Sequence, residues 1–156
     1  MKHGTGTLTS DTQSHASPEY VYDGEWEFDR WEGHGQLITK HIKYSGGFHK
    51  DKYHGDGVYC DQEGTVYCGI WERGMRHGTG QVTYKNGNIF TGDFIKDREN
   101  GQGQMNYAAG AFFNGVYIDG KRNGTGRIFF DKEQQEQYKG EWKDDIPGGG
   151  QGTYRA

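Results

Sequence analysis

Large apolar side chains recur along this chain in a pentad, aromatic-x-Gly-x-aromatic, whose intervening positions are largely polar. The copies are Tyr22-Asp23-Gly24-Glu25-Trp26, Tyr44-Ser45-Gly46-Gly47-Phe48 and Tyr67-Cys68-Gly69-Ile70-Trp71, then Phe90-Thr91-Gly92-Asp93-Phe94, Phe113-Asn114-Gly115-Val116-Tyr117 and Tyr138-Lys139-Gly140-Glu141-Trp142. Alternation with period two predicts a strand in each pentad, with both rings and the central glycine on one face and the x positions on the other. A mid-strand glycine weakens a strand, so its recurrence marks close approach of another group. A ring from the neighbouring repeat is expected to lie across the gap between the two aromatics, with stacking between successive strands stabilising the array.

The pentads start 22, 23, 23, 23 and 25 residues apart, and a Gly-x-Gly follows eleven and thirteen residues after each first aromatic: Gly33/Gly35, Gly55/Gly57, Gly78/Gly80, Gly101/Gly103 and Gly124/Gly126. The preceding position holds His54, His77, Asn100 and Asn123, with Glu32 as the exception. In the last unit Gly150 and Gly152 take the role one residue out of register, which implies an insertion in the 146–149 turn. A half unit over residues 1–8, His3-Gly4-Thr5-Gly6, precedes six units that start near 22, 44, 67, 90, 113 and 138.

These residues resemble the MORN repeat, and Tyr67 to Gly80 matches its Tyr-x-Gly-x-Trp-x-x-Gly-x-x-His-Gly-x-Gly pattern at every defining position. Six tandem copies in phase make the resemblance specific over nearly the whole chain. It departs from the pattern at Asp29, Asp51, Asp97 and Asp145, which replace the mid-repeat turn glycine and leave the turn type open; Asp is itself a turn former.

The expected fold is all-β: a single array over residues 1–156, an elongated single-layer antiparallel meander of tandem β-hairpins. Tight turns are placed at Glu63-Gly64, Asn86-Gly87 and Ala109-Gly110. About 13 strands at ~4.8 Å spacing would make a ribbon roughly 60 Å long. Residues 9–20 overrun a normal connection and read as a protruding loop, and 132–137 as a smaller insertion; both either decorate a binding side or only tolerate solvent. With a two-residue turn at Glu63-Gly64, Cys60 would face Tyr67 and Cys68 would face Tyr59, placing the sulfurs on opposite faces and disfavouring a disulfide.

Composition narrows the partners. Only 31% of residues are hydrophobic and 28 are Gly, yet the 11 Tyr, 8 Phe and 4 Trp set the chain apart from disordered sequences. A net charge of −4 without a basic run excludes the footprint of a nucleic-acid binder. The N-terminus carries no apolar signal and no stretch is long enough to span a bilayer, which places the chain by default in the cytoplasm.

No catalytic, cofactor or metal site is expected. His54 and His77 occupy a repeat position from which His or Asn can bond turn backbone, and His15, His34, His41 and His49 lack metal-ligand spacing. No Gly-x-Gly is followed by the Lys-Ser/Thr of a phosphate loop or opens a helix, and no Gly-x-Ser-x-Gly occurs. The aromatics that the repeat does not account for are Tyr20, Phe28 and Trp31, with Trp31 assigned to the turn region. They either cover the terminal repeat or anchor a partner, since exposed rings are favoured at hot spots.

The resemblance implies a non-enzymatic protein-binding scaffold. The family includes radial-spoke-head proteins of cilia, cytoskeletal and septation scaffolds, peptide-holding proteins, and arrays attached to lipid kinases or lysine methyltransferases. A chain that is almost all repeats looks most like the radial-spoke type, which implies the axoneme of a cilium or flagellum, or a related cytoskeletal assembly. Its partners would be other proteins of a larger assembly, or further copies joined through the terminal repeats, because both ends offer strand edges without a polar cap. Anionic phospholipid, often proposed for the family, is the alternative that the unclustered charge disfavours.

Overall fold

The computed structural model describes residues 1–10, 19–130, 136–148 and 153–154. The chain divides into two units, Met1–Met75 and Arg76–Ala156. In the first, β1 (Gly4–Thr9), β2 (Tyr20–Glu27), β3 (Arg30–Thr39), β4 (Ile42–His49), β5 (Lys52–Asp61) and β6 (Val66–Glu72) each pair antiparallel with the next. The second contains β7 (Met75–Thr83), whose first residue closes unit 1, then β8 (Ile89–Ile95), β9 (Arg98–Asn106), β10 (Phe112–Ile118), β11 (Lys121–Phe129) and β12 (Glu136–Lys143), paired in the same succession. Two short pieces, β13 (Ile146–Pro147) and β14 (Thr153–Tyr154), both lie beside β12. Both units are the expected antiparallel meander, with no helix among the described residues.

The pentad rings form the core. Tyr22, Trp26, Tyr44, Phe48, Tyr67 and Trp71 are buried in unit 1, and Phe90, Phe94, Phe113, Tyr117, Tyr138 and Trp142 in unit 2. The gap at the central glycine is filled differently from the expectation. In the Tyr22, Tyr44, Phe90 and Phe113 pentads the first ring folds along its own strand over the central glycine and over the second glycine of the facing Gly-x-Gly. A Cβ on Gly35 would meet the Tyr22 ring at 2.7–2.8 Å, and one on Gly126 would meet Phe113 at 2.4 Å. A tyrosine here also bonds backbone: Tyr22, Tyr44, Tyr67 and Tyr138 donate from Oη to the carbonyls of Glu25, Gly47, Ile70 and Glu141. The neighbouring repeat contributes its second ring edge-on, as Phe48 against Tyr22 at 5.1 Å and Trp142 against Phe113 at 5.0 Å.

The two glycines of each Gly-x-Gly have separate duties. The second leaves room for the ring, whereas the first adopts positive φ (63° at Gly33, 60° at Gly124) at a bulge. Pairing passes from Gly24↔Gly35 to Glu25↔Glu32, so Gly33 and His34 have no partner on β2. A shift by two residues keeps the rings on one face, where a shift by one would turn them out.

At the mid-repeat turn the open question resolves to one geometry. Both central residues have positive φ in all six copies: Phe28/Asp29, Lys50/Asp51, Arg73/Gly74, Lys96/Asp97, Asp119/Gly120 and Asp144/Asp145. That is the primed turn whose twist suits a hairpin. Asp replaces glycine because it tolerates this conformation and adds a bond. The Asp51 N–H donates to the Trp31 carbonyl while its Oδ1 accepts from the Trp31 N–H at 2.8 Å, and Asp145 does the same with Arg122.

The turns at Glu63-Gly64, Asn86-Gly87 and Ala109-Gly110 are longer than two residues. Gly64 N–H donates to the Asp61 carbonyl and Asp61 N–H to the Thr65 carbonyl, with positive φ at Gly64 alone, so three residues make the loop. The register therefore moves by one, to Cys60↔Val66 and Val58↔Cys68. This corrects the expected placement of the cysteines: both thiols lie on the same face, opposite the rings, and both are free. The expected loop at 9–20 falls mostly on 11–18, outside the described residues with His15, and its base is closed by the Ser10 N–H on the Tyr20 carbonyl. The expected insertion at 132–137 and the Gly150/Gly152 reading likewise lie largely or wholly outside the described residues.

Candidate functional site

The second residue of each repeat's returning strand stands beside the core rings, and its chemistry differs between units. In unit 1 it is Trp31 or Tyr53. Trp31 belongs to β3, directly after the turn and not within it, and stacks on Tyr22 at 4.6 Å and 9°. Tyr53 stacks on Tyr44 at 3.9 Å and 17°. In unit 2 the slot holds Arg76, Glu99, Arg122 or, in β13, Pro147. Arg122 sits 4.3 Å over the Trp142 ring and pairs with Asp145 at 2.9 Å, and Arg76 lies over Phe94 and pairs with Asp97. Glu99 accepts a hydrogen bond from Tyr84 Oη.

Electrostatics follow from this packing. Burial, then nearby carboxylates led by Glu25, push the Tyr22 hydroxyl up to about 12, and burial does the same for Tyr53. Burial alone would raise the Asp145 carboxyl, but the backbone and side-chain hydrogen bonds from Arg122 outweigh it and hold it below its ordinary value.

The three proposed anchor residues have different settings. Tyr20 is half-buried with its ring edge-on to Trp31 at 5.8 Å, and Trp31 is half-buried. Phe28 is 61% exposed at the tip of the first turn, with His3 edge-on at 4.8 Å. Its φ of 50° is uncommon for a bulky residue, and the other five repeats place a charged residue there.

A feature missed in the sequence lies at the turn edge of unit 1. His49, Lys50, Lys52, His54, Glu72 and Arg73 line an open depression of about 500 Å³. These residues come from three strands and two turns, so no run of basic residues announces them. The Glu32 carboxylate supports one wall, accepting from His49 Nδ1 at 2.6 Å and from the Lys50 N–H at 3.0 Å. Burial pushes that carboxyl upward, but those two bonds hold it below its ordinary value. Glu32 and Asn123, which share a repeat position with His54 and His77, each accept from a backbone N–H in the next repeat's turn, with Asn123 Oδ1 3.3 Å from the Asp144 N–H. His54 is exposed on the depression, with its ring 5.6 Å from His49. No cluster of three metal-ligating side chains occurs among the described residues. No helix there is long and apolar enough to cross a membrane.

A family model described as the MORN repeat matches residues 22–39, 44–66, 67–89, 90–112, 113–132 and 138–155. Among curated proteins, alsin of Rattus norvegicus and alsin of Homo sapiens are each 37% identical over 71 residues, covering 44% of this chain. The matched stretch is 4% of each alsin chain.

Proposed function

The chain belongs to the MORN repeat family, a repeat module for protein or membrane binding, and from that premise we propose that it is a non-enzymatic protein-binding scaffold. Its assembly is a ciliary or flagellar axoneme or a related cytoskeletal structure, and residues 1–156 act in it as one array. The observation that carries the reading is Phe28, a solvent-facing ring held at positive φ at a tip where every other repeat has charge. Exposed aromatics of this kind supply the buried anchors of protein interfaces. Half-buried Tyr20 and Trp31 extend the apolar surface on the same hairpin.

The test is proximity labelling of the tagged chain in ciliated cells, beside Phe28→Lys, which restores the chemistry of Lys50 and Lys96. The expected result is a labelled set dominated by axonemal proteins that falls several-fold with the variant. A labelled set without axonemal or cytoskeletal proteins would remove the localisation, and one unchanged by Phe28→Lys would remove the anchor.

A further inference from the structure

In unit 2 the first residue of a returning strand is neutralised by the first turn residue of the next repeat. Arg98 lies 3.7 Å from the Asp119 carboxylate, and Lys121 lies 3.9 Å from Asp144. Unit 1 has two equivalent junctions, Arg30 with Lys50 and Lys52 with Arg73; at the second, both residues line the depression with Lys50, His49 and His54. Neither Lys50 nor Lys52 has a side-chain carboxylate partner among the described residues, and Arg73 has only Glu72 at 3.9 Å. The repeat there keeps its cations and lacks the anion that occupies the same place twice in unit 2.

We propose that the Lys52–Arg73 junction, flanked by Lys50, His49 and His54, receives the phosphoryl group of a phosphorylated serine or threonine in a partner protein. Arg and Lys bind such a group through short charge-assisted hydrogen bonds, and the phosphoryl oxygens stand where the carboxylates of Asp119 and Asp144 stand in their repeats. A single compact dianion suits the place better than a bilayer. Asp29, Asp51 and Glu72 interrupt the same edge, and unit 1 carries more Asp and Glu than Lys and Arg, so an extended anionic plane would meet repulsion around the slot. This inference deepens the scaffold reading and rests on it for the nature of the partner.

The test is an NMR titration of the full ¹⁵N-labelled chain with inorganic phosphate, a phosphoserine peptide with Gly/Ser flanks, and its unphosphorylated twin. Vesicles of phosphatidylcholine with phosphatidylserine form a separate arm. Arg73→Asp is the main variant: Asp119 and Asp144 hold the same conformation at φ 51° and 49°, so it would restore the internal pair and close the slot without unfolding the hairpin. Lys52→Gln removes the other cation and leaves the turn untouched. Saturable shifts at the Lys52, His54 and Arg73 amides are expected with phosphate and the phosphopeptide, at least tenfold weaker in each variant. Equal response to the unphosphorylated peptide, indifference to both variants, or binding to vesicles alone would overturn the proposal. If the phosphoryl probes fail while Phe28→Lys still strips partners, the slot is wrong and the scaffold stands. If they bind while Phe28→Lys changes nothing, the anchor is wrong and the slot stands.

Discussion

The two units fill one slot of one repeat with opposite chemistry. Beside the core rings, unit 1 places Trp31 and Tyr53, flat against Tyr22 and Tyr44, whereas unit 2 places Arg76 and Arg122, each over a ring and paired with an aspartate. Where an aromatic or a guanidinium fills the slot, a planar group covers a ring, whereas Glu99 fills it with a carboxylate held by the Tyr84 hydroxyl. An aspartate stands at the next turn beside either filling: Asp51 bonds the Trp31 backbone, and Asp97 and Asp145 bond the backbone of Arg76 and Arg122 and pair with the guanidinium as well. The two fillings should differ most in their response to salt, because stacking is insensitive to ionic strength and exposed ion pairs are screened.

The largest effect should come from the glycines under the rings. Gly57→Ala brings a Cβ within 2.3 Å of Tyr44 Oη, which must leave the Gly47 carbonyl, whereas Gly126→Ala crowds Phe113, which has no such bond to lose. Overpacking of this kind costs about 1–3 kcal/mol, and Gly57→Ala is expected near the upper end. Urea unfolding of the two variants would decide it, and equal losses would show that the tyrosine hydroxyl contributes nothing.

Next in size is the slot itself. Trp31→Ala should cost about 2 kcal/mol, below the figure for a fully buried Trp because the ring is half-exposed. Arg122→Ala should cost about 1–2 kcal/mol through the lost cation–π contact and ion pair. Only the Arg122 loss should shrink between about 0.1 and 1 M salt, as the Debye length falls from about 10 Å to about 3 Å. A salt-dependent Trp31→Ala would break the comparison.

The smallest effect is a pH dependence at Asp145, which Glu32 of unit 1 should share because its carboxyl is also held below its ordinary value. Because the Asp145 carboxyl is held below its ordinary value in the folded chain, its contribution is present above the unfolded pKa of 3.8 and is lost as pH falls through the folded value. Thermal unfolding of the wild type and Asp145→Asn should therefore converge as pH drops below 3.8. A gap that persists to lower pH would show that the aspartate acts through shape alone.

Much of this architecture follows from local rules that a linear chain displays. Period two in six pentads dictates strands with rings on one face, and glycine at fixed offsets dictates where backbone and ring approach. The hairpins at Asn86-Gly87 and its counterparts were legible, but their length was not. Whether a glycine ends a two-residue turn or a three-residue one depends on backbone hydrogen bonds such as Gly64 to Asp61, and that single residue moved Cys60 and Cys68 onto one face. Trp31 was visible as an outlier, while its place in β3 followed from the turn being only two residues long.

The sequence by itself determined the repeat, its period, the all-β class and the identity of the core rings, because each is written in spacing along one strand. Only the tertiary structure decided which ring covers which glycine, why aspartate stands in for glycine at the turn, and that Lys50, Lys52, His54 and Arg73 share one depression. The physical reason is that hydrogen-bond register brings together residues some 23 positions apart, and charge complementarity between neighbouring repeats exists only after that register is set.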